Sequence, residues 1–192
     1  KKESKGKKDT VLIAANLFVH FNFAGNDTRA YERLEEIVQE TIRILKKNKK
    51  HIIVKLHPSQ SYHDIKSVIH NIDSSIPIYQ NKNIINLIDL CDSMISLNYS
   101  TILLDAMILK KPTMVIMAEE QGFEKEELIS KETTLDVKDL VELEPKIKLL
   151  FDEEYRQKLI KNGTKFVNQY FVNQGTAARK LAELIDQSIN SK

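Results

Sequence analysis

The sequence predicts an α/β domain, a three-layer arrangement in which a parallel sheet of about five to six strands is covered by helices on both faces and followed by a helical C-terminus. Two observations predict it. Short runs at 11–15, 51–56, 93–96 and 113–117 are apolar at consecutive rather than alternate positions, as strands buried on both faces are. Between them lie longer stretches whose apolar residues fall three and four apart, the mark of a helix packed on one side. Such alternation of strand and helix reads as a Rossmann-like domain.

Val11-Leu12-Ile13-Ala14-Ala15 is the first buried strand, and a loop carrying Asn16, Asn22, Gly25, Asn26 and Asp27 follows. Its Asn, Asp and Gly content is that of a turn. Asp27 or Thr28 caps the next helix, whose inner face is Leu34, Ile37, Val38, Thr41, Ile42 and Leu45. Lys46, Lys47, Lys49 and Lys50 suit its C-terminal end, where the helix dipole favours cations. The second strand, His51–Leu56, runs into His57-Pro58. Ser61, with Asp64 three residues on, opens a helix reaching about Asn71. A third strand is expected at 76–79 and a helix at 83–90. Then come the strand at 93–96, the turn Asn98-Tyr99-Ser100-Thr101, a strongly apolar helix through Leu109, and the strand at 113–117. From Val137 onward the pattern is helical throughout, at 138–151, 153–170 and 176–189, with Gly163 and Gly175 as punctuation.

Composition narrows the class. At 192 residues the chain is long enough for one domain with a sizeable core. Its 42% hydrophobic and 29% charged content is ordinary for a globular protein. No run reaches membrane-spanning length. The five glycines make neither a GxGxxG fingerprint nor a P-loop, which disfavours dinucleotide-dependent dehydrogenases and P-loop nucleotidases. No GxSxG elbow and no His/Cys/Asp group with metal-ligand spacing is present. With no Trp and few aromatics, single-stranded nucleic-acid binding has little support. The single cysteine, Cys91, excludes an internal disulfide, sits among apolar residues as a small hydrophobe, and fits a reducing cytoplasmic compartment. Residues 1–9, with Lys1, Lys2, Lys5, Lys7 and Lys8, read as a solvated tail or linker, the commoner meaning of such a run. The other meaning is contact with an anionic membrane surface. The chain opens on Lys1 rather than Met, which suggests part of a longer protein.

Function follows from the geometry of a parallel sheet. All strands end on one edge, and ligands bind there, near the point where the strand order reverses. The loops beginning at Asn16, His57, Leu97 and Ala118 therefore converge. His57, fixed by Pro58, can donate to a phosphate oxygen, and Lys55 adds charge from the strand end. Ser100 and Thr101 open a helix, where hydroxyls and free amides suit an anion as well as a plain cap. Asp105 lies one turn beyond Thr101 and can accept from ribose or sugar hydroxyls. Asn98, Tyr99 and Glu119 complete the rim, with surface charge the plainer reading of Glu119 and Glu120.

KLHP followed by LIDLCDSMISLNYSTILLDAMILKKP resembles the C-terminal, donor-binding half of GT-B-fold glycosyltransferases. The nearest groups are CDP-glycerol glycerophosphotransferases of teichoic-acid synthesis and capsule polysaccharide transferases that carry an HP motif and a later Ser-Ser or Ser-Thr pair. The resemblance implies that His57, Ser100 and Thr101 bind donor phosphates, His57 being the catalytic candidate, and that Asp105 touches the donor's sugar or glycerol. It implies residues 10–192 as the donor domain and 1–9 as the interdomain linker. A CDP-, CMP- or UDP-activated donor would be the substrate, with no cofactor or metal, a cell-surface polymer the acceptor, and an N-terminal acceptor domain the missing partner. Location would be cytoplasmic, at the inner face of the membrane. Leu97-Asn98 departs from the family's turn, which often carries Asp or Thr there. A UDP-N-acetylglucosamine 2-epimerase-like enzyme is the alternative, opposed by the lack of a Gly pair after Ser100. A non-catalytic binding module is the other.

Overall fold

A computed structural model describes residues 9–15, 28–58, 62–117 and 126–190. Strand β1 (Thr10–Ala15) is buried at every residue, and its side chains divide by parity. Val11, Ile13 and Ala15 enter one hydrophobic cluster, Leu12 and Ala14 the other. That is the consequence of consecutive apolar residues in an extended chain, which feed both faces of a sheet.

Five further strands join it: β2 (His51–Leu56), β3 (Ile78–Tyr79), β4 (Ser93–Leu97), β5 (Thr113–Ile116) and β6 (Leu135–Val137). The order is β3-β2-β1-β4-β5-β6, and all five pairings are parallel. Eight α-helices among the described residues cover the sheet: α1 (Thr28–Lys47), α2 (Tyr62–Ile72), α3 (Ile84–Leu90), α4 (Ile102–Ile108), α5 (Glu126–Ser130), α6 (Leu143–Phe151), α7 (Glu153–Tyr170) and α8 (Ala177–Asn190). Residues of α1, α2 and α6 pack with one face, and those of α3, α4 and α5 with the other. Helix α7 serves both clusters, Leu159 in the first and Phe166 and Val167 in the second. The fold class is therefore the Rossmann-like one expected.

The far end of the sheet from the strand C-termini is fastened by Asp92. Its carboxylate accepts from the Thr10 amide at 2.8 Å, its own amide donates to the Thr10 carbonyl at 2.8 Å, and Arg156 donates to its carbonyl at 3.1 Å. Cys91 is buried beside it, and loss of solvation pushes its thiol up to about 12.

Four local readings differ from the sequence pattern. The third strand shortens to two residues, because Pro77 has no N–H for the ladder and contributes only its carbonyl, to the Val54 amide at 3.0 Å. Val137 ends a strand rather than beginning a helix, and α5 precedes it. The helix expected at 138–151 starts at Leu143, after a 3-10 turn over Leu140–Glu142 that Asp139 caps by accepting from the Val141 amide. Gly163 is not punctuation: it lies inside α7 and is buried. A Cβ there would sit 3.0 Å from Met107 Cγ and 3.4 Å from Met107 Cβ, so the missing side chain is what lets α7 close on α4. The tail at 1–8, the Asn16–Asp27 loop, Ser61 and the 118–125 segment lie outside the described residues.

Helix α8 differs from the rest. None of its residues is buried, and Leu181, Leu184, Ile185 and Ile189 form an exposed apolar stripe.

Glycine inside a helix costs about 1 kcal/mol relative to alanine, so an exposed site would gain from a larger residue. At Gly163 the opposite is expected. Gly163→Leu should lower the unfolding free energy by about 1–3 kcal/mol in urea titration, since the added atoms must displace Met107. Unchanged stability would mean that α4 and α7 do not pack as described.

Candidate functional site

Strand order reverses between β1 and β4, and beside that point a cleft of about 440 Å³ opens at the C-terminal edge of the sheet. Its walls come from the ends of β1 and β2, the loop after β3 and the start of α4. Ala14 and Ala15 line it with the smallest side chains of β1, which leaves room that a longer residue would fill.

Lys55 is the unusual member. It is 8% exposed, and Ala14 is its neighbour in the β1–β2 register. Its ammonium donates to the Leu56 carbonyl at 2.6 Å and the Gln80 carbonyl at 2.8 Å. Among the described residues no carboxylate lies within ion-pair distance of it. Burial lowers its pKa from the ordinary 10.5, because desolvation disfavours the charged form. A cation held by two neutral carbonyls retains attraction for an entering anion.

His57 continues β2 past its last residue, its amide donating to the Ala15 carbonyl at 3.3 Å. The turn it forms with Pro58 is clasped from the side by Gln80, whose Nε2 donates to the Pro58 carbonyl at 3.1 Å and the His57 carbonyl at 3.4 Å. His57, Lys55, Ser100, Thr101 and Asp105 all line the same cleft, so the structure brings together the five residues singled out from sequence.

Local chemistry at the end of β4 shapes the opposite wall. Asn98 is buried at φ 66°, in the left-handed region that Asn tolerates better than most residues. Its amide donates to the Ile116 carbonyl at 2.9 Å, and its carbonyl accepts from the buried Ser96 hydroxyl at 2.9 Å. This sharp turn redirects the chain into α4 and leaves Ser100 and Thr101 facing the cleft. Thr101 makes no side-chain capping bond, so its hydroxyl is not committed to the helix. Asp105, one turn on, is partly desolvated, which raises its pKa.

Two rim candidates take part in the fold. Asn98 is the turn itself, and Tyr99 is buried with its hydroxyl donating to Asp136 of β6 at 3.2 Å. Asn16 and Glu119 lie outside the described residues. The pattern reading missed Gln80, Asn81 and Lys82, which line the cleft from the loop after β3. The Lys82 ammonium stands 4.5 Å from the centre of the Tyr79 ring. The signal was available, since β3 also ends on this edge and is followed by that polar run. Among the described residues no group of three His, Cys, Asp or Glu side chains is placed to hold a metal ion.

The lowered pKa of Lys55 has a stability consequence whose sign is fixed by linkage. The folded state releases this proton more readily than the unfolded chain, so stability attributable to Lys55 rises with pH between its lowered value and 10.5. Lys55→Met should keep or raise the melting temperature at pH 7 and flatten its rise toward alkaline pH, measured by differential scanning calorimetry. An unaltered slope would show that Lys55 is solvated.

No family model matches the sequence, and a search of curated proteins finds no match. Solved structures do resemble the fold. WaaG, a glycosyltransferase involved in lipopolysaccharide biosynthesis, matches with a TM-score of 0.57 at 12% identity, over 93% of this chain and 47% of its own. The C-terminal CMP-Kdo binding domain of WaaA from Acinetobacter baumannii matches with a TM-score of 0.55 at 13% identity, over 83% of this chain and 89% of its own. UDP-GlcNAc 2-epimerase from Neisseria meningitidis, bound to UDP-GlcNAc, matches with a TM-score of 0.58 at 16% identity, over 86% and 45%. The chain thus spans about half the length of WaaG and of the epimerase. What these proteins share with it is the fold, the Rossmann-like half of a GT-B architecture.

Proposed function

We propose that this chain is the donor-binding half of a GT-B transferase and that its cleft holds the phosphate of a nucleotide-activated donor. The observation that carries this is Lys55, a buried ammonium with no carboxylate partner among the described residues, at the edge where the strand order reverses. Burying a charge is costly unless something compensates it. Carbonyls compensate partly, and a phosphate oxygen would complete the task. The fold agrees with this reading, since the matched domain of WaaA is described as binding CMP-Kdo and the matched epimerase structure holds UDP-GlcNAc.

In this reading Lys55 and the hydroxyls of Ser100 and Thr101 face the donor phosphates, and His57 donates from the edge of the cleft. Asp105 accepts from hydroxyls of the ribose or the transferred group. During transfer, an acceptor hydroxyl oxygen bonds to the anomeric carbon or phosphorus and gives up its proton. The bond from that atom to the departing nucleotide breaks, and negative charge grows on the leaving phosphate. The same cation and hydroxyls stabilise that charge more as it develops, which lowers the barrier. The base for the acceptor belongs to a second domain, so this chain alone binds donor without turning it over. Residues 10–192 form the donor domain and 1–9 the linker. A CDP-, CMP- or UDP-activated sugar or glycerophosphate would be the donor, and a cell-surface polymer the acceptor. A cytoplasmic location, with the linker lysines near the inner membrane face, suits free Cys91 and such donors.

Calorimetric titration of the chain with CMP, CDP, CDP-glycerol, UDP and UDP-GlcNAc tests this reading. One nucleotide series should bind, and Lys55→Met should weaken it by about 1.5–3 kcal/mol, a tenfold or larger rise in Kd. Absence of saturable binding for all five would sink the proposal. The epimerase reading is favoured by the likeness to the UDP-GlcNAc-bound structure. Selective binding of UDP-GlcNAc, with interconversion of its C2 epimer by the full-length protein, would select it.

A further inference from the structure

Strand β3 has two residues, and its register to β2 ends at the Lys55–Tyr79 pair. Pro77 removes one ladder donor, so backbone pairing alone holds the end of β3 weakly. Yet the loop that leaves β3 forms a wall of the cleft. What fixes it is a set of side-chain bonds centred on Gln80. The Lys55 ammonium donates to the Gln80 carbonyl at 2.8 Å, and the Gln80 side-chain amide donates to the carbonyls of His57 and Pro58 at 3.4 and 3.1 Å. The Leu56 carbonyl, between those residues, receives the second bond from Lys55 at 2.6 Å. Bonds therefore run from β2 to the loop through the lysine, and back from the loop to the turn after β2 through the glutamine.

We infer that Gln80 is a positioning residue of this cleft, holding the Lys55 ammonium and the His57–Pro58 turn in one fixed relation so that an entering anion meets both together. Gln80 contributes no charge of its own. Its carbonyl directs Lys55 along the edge of the sheet, and its amide prevents the turn from swinging away from β3. Without the amide, water reaches the lysine from the loop side, and the turn and the ammonium move independently. The affinity part of this inference rests on the anion-binding reading above; the geometric part does not.

The test uses Gln80→Ala and Gln80→Asn in the 192-residue chain. Asparagine retains polarity but withdraws the amide by one methylene, and it guards against an alanine variant that folds poorly. Three readouts separate positioning from bulk stability. Without ligand, amide hydrogen exchange at residues 55–57 should accelerate while Ile52 to Val54 stay protected. The Lys55 ammonium, followed by NMR with labelled lysine, should titrate closer to 10.5 than in the parent chain. Kd for CMP or UMP, whichever the parent binds, should rise by about tenfold, the loss expected for a misplaced charged contact. If exchange and titration both match the parent, the inference is overturned, whatever the melting temperature does. If the parent binds neither nucleotide but exchange and titration change as stated, the positioning role stands and the donor reading fails. If both change and nucleotide affinity stays at the parent value, Gln80 only closes a loop, and the inference is overturned.

Discussion

The ladder on both sides of β1 is the constraint on which the other elements depend. Thr10 to Ala15 pair with β2 along their whole length, and Val11 to Ala15 pair with β4. With β1 in the interior of the sheet, the chain builds outward on one side through β2 and β3. It then crosses back to build the other side from β4. Parallel pairing requires a covering connection at each step, and the handedness of those connections puts helices on both faces. At Ala15 the register to Leu56 on one side and Leu97 on the other marks where the two directions part. The cleft beside that parting is therefore a product of strand order, and the small side chains of Ala14 and Ala15 keep it open.

Charge is handled differently at the surface and inside the cleft. Lys46–Asp73, Lys47–Glu144 and Lys158–Glu132 are ion pairs with at least one exposed member, and pairs of that kind contribute little net stability. Lys55 and Asp105 lie in one cleft, each with its charged form disfavoured by desolvation, and no salt bridge joins them. A pair of opposite charges left apart at a desolvated edge is an arrangement that folding alone would not select.

Much of this was legible in the residues. Runs such as Val11 to Ala15 and Ser93 to Ser96 can satisfy consecutive apolar positions only between two helical layers, so the sheet could be read directly. The C-terminal edge followed from parallel pairing, and the meeting of Lys55, His57, Ser100, Thr101 and Asp105 in one cleft from that edge. What sequence hid was determined by contacts between distant segments. Gly163 resembles a helix breaker until Met107 stands against it. The bond from the Tyr99 hydroxyl to Asp136, far along the chain, leaves no trace in the sequence pattern. Strand β6 is three residues long, too short for a periodic signal, and exists because β5 offers it a ladder. Gln80 carries no charge or motif, and only its bonds to the turn after β2 distinguish it.

Helix α8 has 14 residues and none of them is buried. Helices of that length are marginal in water when no packing supports them. Its stability therefore draws little on the sheet and rests mainly on its own backbone bonds. A free energy of unfolding dominated by burial in the sheet layers therefore says little about Ala177–Asn190. Amides in α8 are expected to exchange through local opening rather than through unfolding of the sheet. A surface laid over the stripe of Leu181, Leu184, Ile185 and Ile189 would draw that segment into the same transition as the sheet.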